Sequence, residues 1–453
     1  MGANKTYALK GLRQLFYLVP PSESQFERRQ DVPDYVEEAL PYFFGAIILE
    51  AILSTITGLA PRMRINDGIN SVAAGLTSQM TKMVVMALEL SAYVWVYERY
   101  NYFNLPWNSA YTWWLCFFGM DLGYYLFHRA GHEVNAFWAA HQPHHSSEDY
   151  NFSTALRQGA IQSYISWIFY VPMAIAIPPS VFFVHTQFNL LYQFWIHTQL
   201  IKSIGPLEYI LNTPSHHRVH HGRNRYCIDK NYGGTLIIWD RLFGTFQAEN
   251  EPVVYGLTHP VNTWDPVWAQ IHHYKHILER VWAIKGLKNK LGVLFKGPGW
   301  APGKPRLGDI NDIPDVNYAT AKQYNSSLPY WATYYVLIHF LLSVLLFTFL
   351  GYKQKVLPYS TVTLGVILVM ASLYCYGALF DKKSCAPYLE FCRTFGFFLA
   401  DFSLFPFTGI LGLSHWFALI YRWWFAFSAS LWFVLSFKHY RAVEIALLCC
   451  ECL

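Results

Sequence analysis

Nine stretches of this 453-residue chain are apolar for roughly the length that a helix needs to cross a bilayer. They cover about 42–60, 75–97, 110–127, 160–178 and 181–200, then 329–350, 358–380, 391–412 and 416–437. A helical crossing takes about 20 residues. Lipid offers no partner for a bare peptide group, so runs of this kind satisfy their backbone internally as helices. The expected fold is an all-α, polytopic integral membrane helical bundle of about nine spans. Composition agrees: only 14% of residues are charged, against about 25% in soluble domains.

Between the two groups of spans lies a polar, proline- and glycine-containing region, 201–327, too long for a simple connection. It holds fifteen Lys and Arg, and basic loops stay on the cytosolic side. Counting spans outward puts the 129–158 loop on that side too, the N-terminus in the lumen and the C-terminus in the cytosol. The glycosylation sequence at Asn4 is then lumenal, and the one at Asn151 cytosolic and bare. Residues 1–40 lack an apolar core, so no cleavable signal is expected. Outside the terminal run Cys449-Cys450-Glu451-Cys452, which carries one CxxC spacing, the eight cysteines include no CxxC pair, which speaks against a thiolate metal site in the body of the chain. Cys449, Cys450 and Cys452 at the end of the chain are candidates for acylation. No basic tract calls for a nucleic-acid partner.

The chemistry lies in the histidines. His128 and His132 are four apart and share one helical face. His141, His144 and His145 form HxxHH, and His217, His220 and His221 form a second HxxHH directly after His216. Two spans separate the later cluster from the earlier ones, so all eight can meet on one membrane side. Neutral imidazole suits iron, copper and zinc. Eight ligands exceed what one ion accepts, so two ions are implied, held in a cytosolic histidine-rich di-metal cap. Acids that orient the rings are expected nearby. Asp121 lies seven residues before His128 on the same helix face, and an acid inside a span is a functional candidate by default. Glu133, Glu148, Asp149 and Asp240 are further candidates. His185, His259, His339, His415 and His439 stand alone and are expected to have no metal role, while His272, His273 and His276 decorate an interfacial helix.

The run from Asp121 through His128 to His132, the segment Trp138-Ala-Ala-His141-Gln-Pro-His144-His145, and Thr213-Pro-Ser-His216-His217-Arg-Val-His220-His221 together resemble the fatty acid hydroxylase superfamily. So do Asn231-Tyr-Gly-Gly and Trp239-Asp-Arg-Leu-Phe-Gly-Thr245. The resemblance covers roughly 110–250. It implies a di-iron centre (Fe, two ions), dioxygen as co-substrate and a lipid hydroxylated at an unactivated carbon. It also implies a further ligand from span five, and His197 occupies that place. His216 is a weaker candidate.

Within the superfamily the likeness is to the branch that hydroxylates the ether-linked carbon of glycerol lipids. The N-terminal stretch, Thr263-Trp-Asp-Pro-Val-Trp268 and the four extra spans carry it. That branch implies tetrahydrobiopterin as reductant, an ether lipid substrate, and residence in the endoplasmic reticulum membrane with the active site facing the cytosol. Glu133 is then an acceptor for the N–H groups of the reduced pterin, and Asp121 and Glu133 are the candidate catalytic acids. The segments expected are a polar one at 1–41, membrane spans at 42–109, the hydroxylase-like core at 110–250, a cytosolic or interfacial part at 251–327, and spans with a tail at 328–453. Rival readings are a sterol, sphingolipid or fatty acid hydroxylase or desaturase with other electron donors, and, from another class, a zinc-binding membrane transporter. A transporter wants ligands near the bilayer midplane, whereas these gather at one interface.

Overall fold

The computed structural model describes residues 2–85, 88–401 and 414–450. These residues are helical and carry no strand beyond two isolated bridges, Leu211 with Leu236 and Gly222 with Tyr255. The helices are α1 (Gly2–Leu15), α2 (Tyr35–Thr57), α3 (Ile65–Val85), α4 (Leu88–Tyr100), α5 (Ala110–Glu133), α6 (Asn135–His145), α7 (Phe152–Ala155), α8 (Ser163–Ser166), α9 (Pro179–Trp195), α10 (Pro214–His220), α11 (Ile238–Phe243), α12 (Pro266–Ala283), α13 (Leu287–Phe295), α14 (Tyr330–Lys353), α15 (Tyr359–Phe380), α16 (Ala386–Leu399) and α17 (His415–Cys450). They form two compact units: residues 1–261 with 269–323, and 262–268 with 324–453.

In the first unit, α2 shows how the sequence writes a membrane-facing helix. Asp34 caps it by accepting from the Glu37 N–H at 2.9 Å. Gly58 ends it in the left-handed region at φ 66°, where a Cβ is costly. Tyr35, Ala39, Phe43, Ile47, Glu50 and Ser54 are buried, three or four residues apart and therefore on one face. Tyr35, Ala39, Phe43 and Ile47 pack with Trp113 and Phe117 of α5 and Val184, Phe188 and Leu191 of α9. The opposite face leaves Ile48, Leu49, Ile52 and Ile56 exposed, as suits a surface that meets lipid.

In the second unit, α14 does the same, burying Tyr335, Val336, His339, Phe340 and Ser343 and exposing Tyr334, Ile338, Leu341 and Leu345. His339 bonds the Ser428 hydroxyl at 3.0 Å, and Arg393 and Tyr335 both engage the buried carboxylate of Glu390. These polar groups satisfy one another inside an apolar bundle, as buried groups must.

The span count is where structure and expectation part. Among the described residues, four helices are long and apolar enough to cross a membrane: Arg29–Thr57, Tyr330–Lys353, Tyr359–Phe380 and His415–Phe437. The expected span at 160–178 is instead α8 followed by 3-10 turns at Trp167–Phe169 and Val171–Ile175. The α-helix has already ended at Ser166, and Pro172, which has no N–H to donate, stands at the start of the second 3-10 turn rather than inside a continuous helix. The expected span at 75–97 falls on α3 and α4, either side of residues outside the described set. The second half of that at 391–412 and Cys452 also fall outside the described residues, as do the side chains of Asn4, His439, Cys449 and Cys450.

Candidate metal centre

Four elements carry the nine expected histidines. α5 brings His128 and His132 on its last two turns. The chain turns once at Val134, in extended conformation, and starts α6 at once. Asn135 fixes that start, its N–H donating to Lys296 O and its side-chain amide to Val293 O, each at 2.8 Å. α6 carries His141, His144 and His145. His197 follows the end of α9. α10 opens with Pro214 at its first position, where the missing N–H costs nothing, and supplies His217 and His220, with His221 next.

The structure brings all nine together, buried, in two adjacent groups. His128, His132, His141, His145 and His220 form one; His144, His197, His217 and His221 form the other. Within each group the candidate ligand atoms lie within 4.8 Å of one another. Each HxxHH therefore splits. Its i, i+4 pair faces one group, and the remaining histidine, turned by 60–100° on the helix, reaches the other. His216 is left out: its ring lies against Phe246, at 5.4 Å between centroids, and its Nδ1 is 3.4 Å from the Thr213 hydroxyl.

Proton placement tests whether these groups suit cations. Nδ1 of His128 donates to Tyr232 O at 2.8 Å, His144 to Arg157 O at 2.8 Å, His197 to Gln193 O at 2.7 Å and His220 to Lys230 O at 2.9 Å. A carbonyl only accepts, so in each neutral ring the proton sits on Nδ1 and Nε2 holds a lone pair. Yet Nε2 of His144 and His197 face each other at 3.4 Å, and Nε2 of His128 stands 3.1 Å from that of His141. Nε2 of His217 lies 3.0 Å from that of His197. Two lone pairs repel at this range. Nitrogens about 3.0–3.4 Å apart are what an ion with metal–nitrogen bonds of about 2.1 Å sets between neighbouring ligands. Nε2 of His132, His220 and His221 are buried with no hydrogen-bond partner among the described residues. Protonation does not offer an escape. Burial, then the neighbouring imidazoles, hold His128, His132, His145, His217 and His221 well below the ordinary histidine value, and burial takes His141 down to about 4. The donor set therefore fits two metal ions, and borderline ones such as iron or zinc.

The fatty acid hydroxylase family model matches residues 113–245, which contain every one of these histidines, and the model of the alkylglycerol monooxygenase C-terminal domain matches 332–405. The chain is 51% identical to alkylglycerol monooxygenase of Danio rerio over 395 residues, 86% of this chain and 87% of that protein. Against the Homo sapiens protein of that name the identity is 50% over 392 residues, with the same coverage, and against that of Caenorhabditis elegans it is 40% over 407, covering 86% and 81%. The chain belongs to the alkylglycerol monooxygenase family. No solved structure matches it.

In this member of the alkylglycerol monooxygenase family the expected acids take places that the sequence left open. None of the hydrogen bonds of Asp121 goes to a histidine ring. Its carboxylate accepts from the N–H groups of Thr235 (2.7 Å) and Leu236 (3.0 Å), from Trp239 Nε1 (3.0 Å) and from Asn189 Nδ2 (3.0 Å). Asp240 accepts from the N–H groups of Tyr232 and Gly233, each at 2.7 Å. The two acids clamp the Asn231-Tyr-Gly-Gly loop from both ends, and that loop presents the Tyr232 carbonyl to His128. The loop needs its glycines: a Cβ on Gly234 would lie 2.8 Å from the Tyr124 ring, and one on Gly233 2.5 Å from Leu236 O. Asn231 adopts φ 57°, a left-handed conformation that asparagine tolerates.

Glu133 stands at the end of α5, its carboxylate shared between Arg129 (2.7 Å) and Arg306 (2.9 Å). Glu148 and Asp149 line a cleft beyond Tyr150. Of the other histidines, the isolated His185 shares a hydrogen bond with the Tyr17 hydroxyl, and His273 of α12 donates to Asn135.

Sequence reasoning passed over three residues. Gln162 holds His141 Nδ1 at 2.9 Å, but it lies in the run read as span four. Asp229 sits 3.6 Å from His132 Nδ1, and burial with the nearby Glu133 charge pushes its carboxyl up to about 7. Glu50, the one acid inside the first apolar run, accepts from the Phe152 N–H at 2.6 Å and the Thr198 hydroxyl at 2.5 Å, tying α2 to the His197 segment. Its isolation in that run was a visible signal.

Proposed function

We propose that the chain is a tetrahydrobiopterin-dependent di-iron monooxygenase that hydroxylates the ether-linked carbon of alkylglycerol lipids. The observation that carries this reading is the pair of all-imidazole groups inside a segment that matches the fatty acid hydroxylase family, in a chain half identical to alkylglycerol monooxygenases. His128, His132, His141, His145 and His220 would hold one iron and His144, His197, His217 and His221 the other. When bound, the irons supply dioxygen activation. The protein's own part is to keep nine imidazoles neutral and aimed, with carbonyls, Gln162 and the Asp121–Asp240 clamp fixing the rings.

The product chemistry follows from the substrate. Replacing one hydrogen on the ether carbon by hydroxyl gives a hemiacetal. Its O–H proton passes to the glycerol oxygen as the C–O bond breaks, leaving a fatty aldehyde and free glycerol derivative. In the balance, ether lipid, dioxygen and tetrahydropterin give hemiacetal, water and dihydropterin. No lyase residue is required. We place the enzyme in the endoplasmic reticulum membrane with the metal site on the cytosolic side, a placement supported by the basic 201–327 region. A lipid head at that interface brings the first chain carbons near the metals. Glu133 is one seat for the pterin ring: a carboxylate accepts along about four lone-pair directions, and Arg129 and Arg306 use two.

The test is mass spectrometry of products under labelled dioxygen, with ether and ester lipids side by side. The ether lipid should yield aldehyde carrying one labelled atom before exchange with water, and the ester lipid none. A stable mid-chain alcohol with no aldehyde would refute the assignment and favour a general lipid hydroxylase.

A further inference from the structure

One short stretch of chain grips three rings of the first histidine group. The Tyr232 carbonyl accepts from His128 Nδ1 at 2.8 Å, and the Lys230 carbonyl from His220 Nδ1 at 2.9 Å. Asp229 makes the third contact, its carboxylate standing 3.6 Å from Nδ1 of His132. Asn231 anchors the stretch. Its side-chain amide donates to His216 O at 3.0 Å and Gln247 O at 2.7 Å, and its Oδ1 accepts from the Gln247 N–H at 2.8 Å.

Asp229 differs from the other acids around the site. Among the described residues its carboxylate alone lies in ion-pair range of a ring in either histidine group, and no donor among them hydrogen-bonds it. The Asp121 and Asp240 carboxylates are filled by backbone N–H groups and side chains, and Glu133 is held between Arg129 and Arg306. The backbone alone does not account for an acid here. Asp229 sits at φ 58°, a left-handed conformation that Asp and Asn tolerate. Asn231 meets the same demand at φ 57° without a charge, so the turn needs a short polar side chain and not an anion. The anion suits the ring. His132 Nε2 is buried in the group with no hydrogen-bond partner among the described residues, so the edge that faces Asp229 is the one that carries the proton. At 3.6 Å the pair stands just beyond hydrogen-bond range, and a small rotation of a carboxylate with no other donor to leave closes it.

The second group has no counterpart. His144 and His197 donate to the Arg157 and Gln193 carbonyls, and His217 Nδ1 is buried with no partner among the described residues. An outer partner raises the basicity of the imidazole it holds, and an anionic acceptor makes the stronger bond. Resting on the di-iron reading, we infer that Asp229 is a positioning residue that holds His132 through Nδ1 and makes the two iron sites unequal, the first more electron-rich than the second. Its charge favours ferric over ferrous iron on the first group, so the iron of the second group is reduced first.

The test is Mössbauer spectroscopy with a reductive titration of the full-length, iron-loaded protein in nanodiscs, without lipid substrate or pterin. Wild type should show two iron components of equal area that are reduced one after the other. Asp229→Asn keeps the turn and removes the charge. It should retain both irons, shift one component only, and move the potential of that iron upward, toward the other. Asp229→Gly also tolerates the backbone but leaves the ring no acceptor. It should release one of the two irons at about 10–100-fold lower chelator strength, with Asp229→Asn between it and wild type. An Asp229→Asn spectrum and titration identical to wild type, or both components shifted alike, overturns the assignment and leaves two irons in place. A wild type with a single component and one iron per chain overturns the di-iron reading and the assignment with it.

Discussion

Asp121→Asn separates a residue that holds the metal site from one that merely fills a helix. One Asp121 oxygen accepts from Thr235 N and Asn189 Nδ2, the other from Leu236 N and Trp239 Nε1. Asparagine turns one oxygen into an NH2 group that faces two donors. Two bonds to a charged acceptor are lost at about 1.5–3 kcal/mol each, about 3–6 kcal/mol together before relaxation. The loss falls on the loop that starts at Asn231. Its Tyr232 carbonyl moves, and His128 loses the acceptor that fixes its proton on Nδ1. Loss of such an outer partner typically costs about 10–100-fold in metal affinity. The assay is iron release to a chelator of known affinity, followed with helix content by circular dichroism. Asp121→Asn should release iron at about 10–100-fold lower chelator strength, with helix content unchanged. Release identical to wild type would show that the clamp does not govern His128 and would refute the reasoning.

His217→Ala should abolish lipid turnover and lower iron content, whereas His216→Ala should keep both, since its ring lies outside the groups; turnover and elemental analysis decide. Metal-stripped protein should lose thermal stability as pH falls from the ordinary histidine value of 6.5 toward about 4. The sign follows because the unfolded chain takes up protons there that the buried imidazoles refuse; a flat melting temperature across that window would contradict it. Glu50→Gln should destabilise by about 1–3 kcal/mol, read as an earlier unfolding transition, because an amide that turns its oxygen to one donor leaves its NH2 facing the other. In the Glu133→Gln comparison, a larger rise in the apparent pterin requirement than in the lipid requirement supports a pterin contact, and equal changes favour a structural role at the helix end.

Much of the site is legible in the sequence because i, i+4 spacing is a property of one helix. His128 with His132, His141 with His145 and His217 with His221 needed no tertiary knowledge. How the triplets divide between two groups did, since that depends on how α5, α6 and α10 meet. Asp121 stands out in the sequence as an acid among apolar residues, but its partners include two backbone N–H groups more than a hundred positions away, which spacing does not reveal. Gln162 was hidden inside a run apolar enough to pass for a span. That run also cost the topology: its length invited a continuous helix, and the structure has one α-helical turn followed by two 3-10 turns instead. The expectation that Asn151 is bare says nothing of orientation, for a related reason. Asn151 is buried, and its side chain accepts from the Ser153 N–H at 2.9 Å to cap α7, so it stays bare on either side of a membrane.

The central claim is that two irons sit on two separate groups of histidines. It is tested most directly by the iron-to-protein ratio of purified active protein, measured in the wild type, in His132→Ala and in His197→Ala. The account predicts two irons per chain in the wild type, and about one in each variant where the intact group keeps its ion. One iron in the wild type, or an unchanged ratio in both variants, would contradict it.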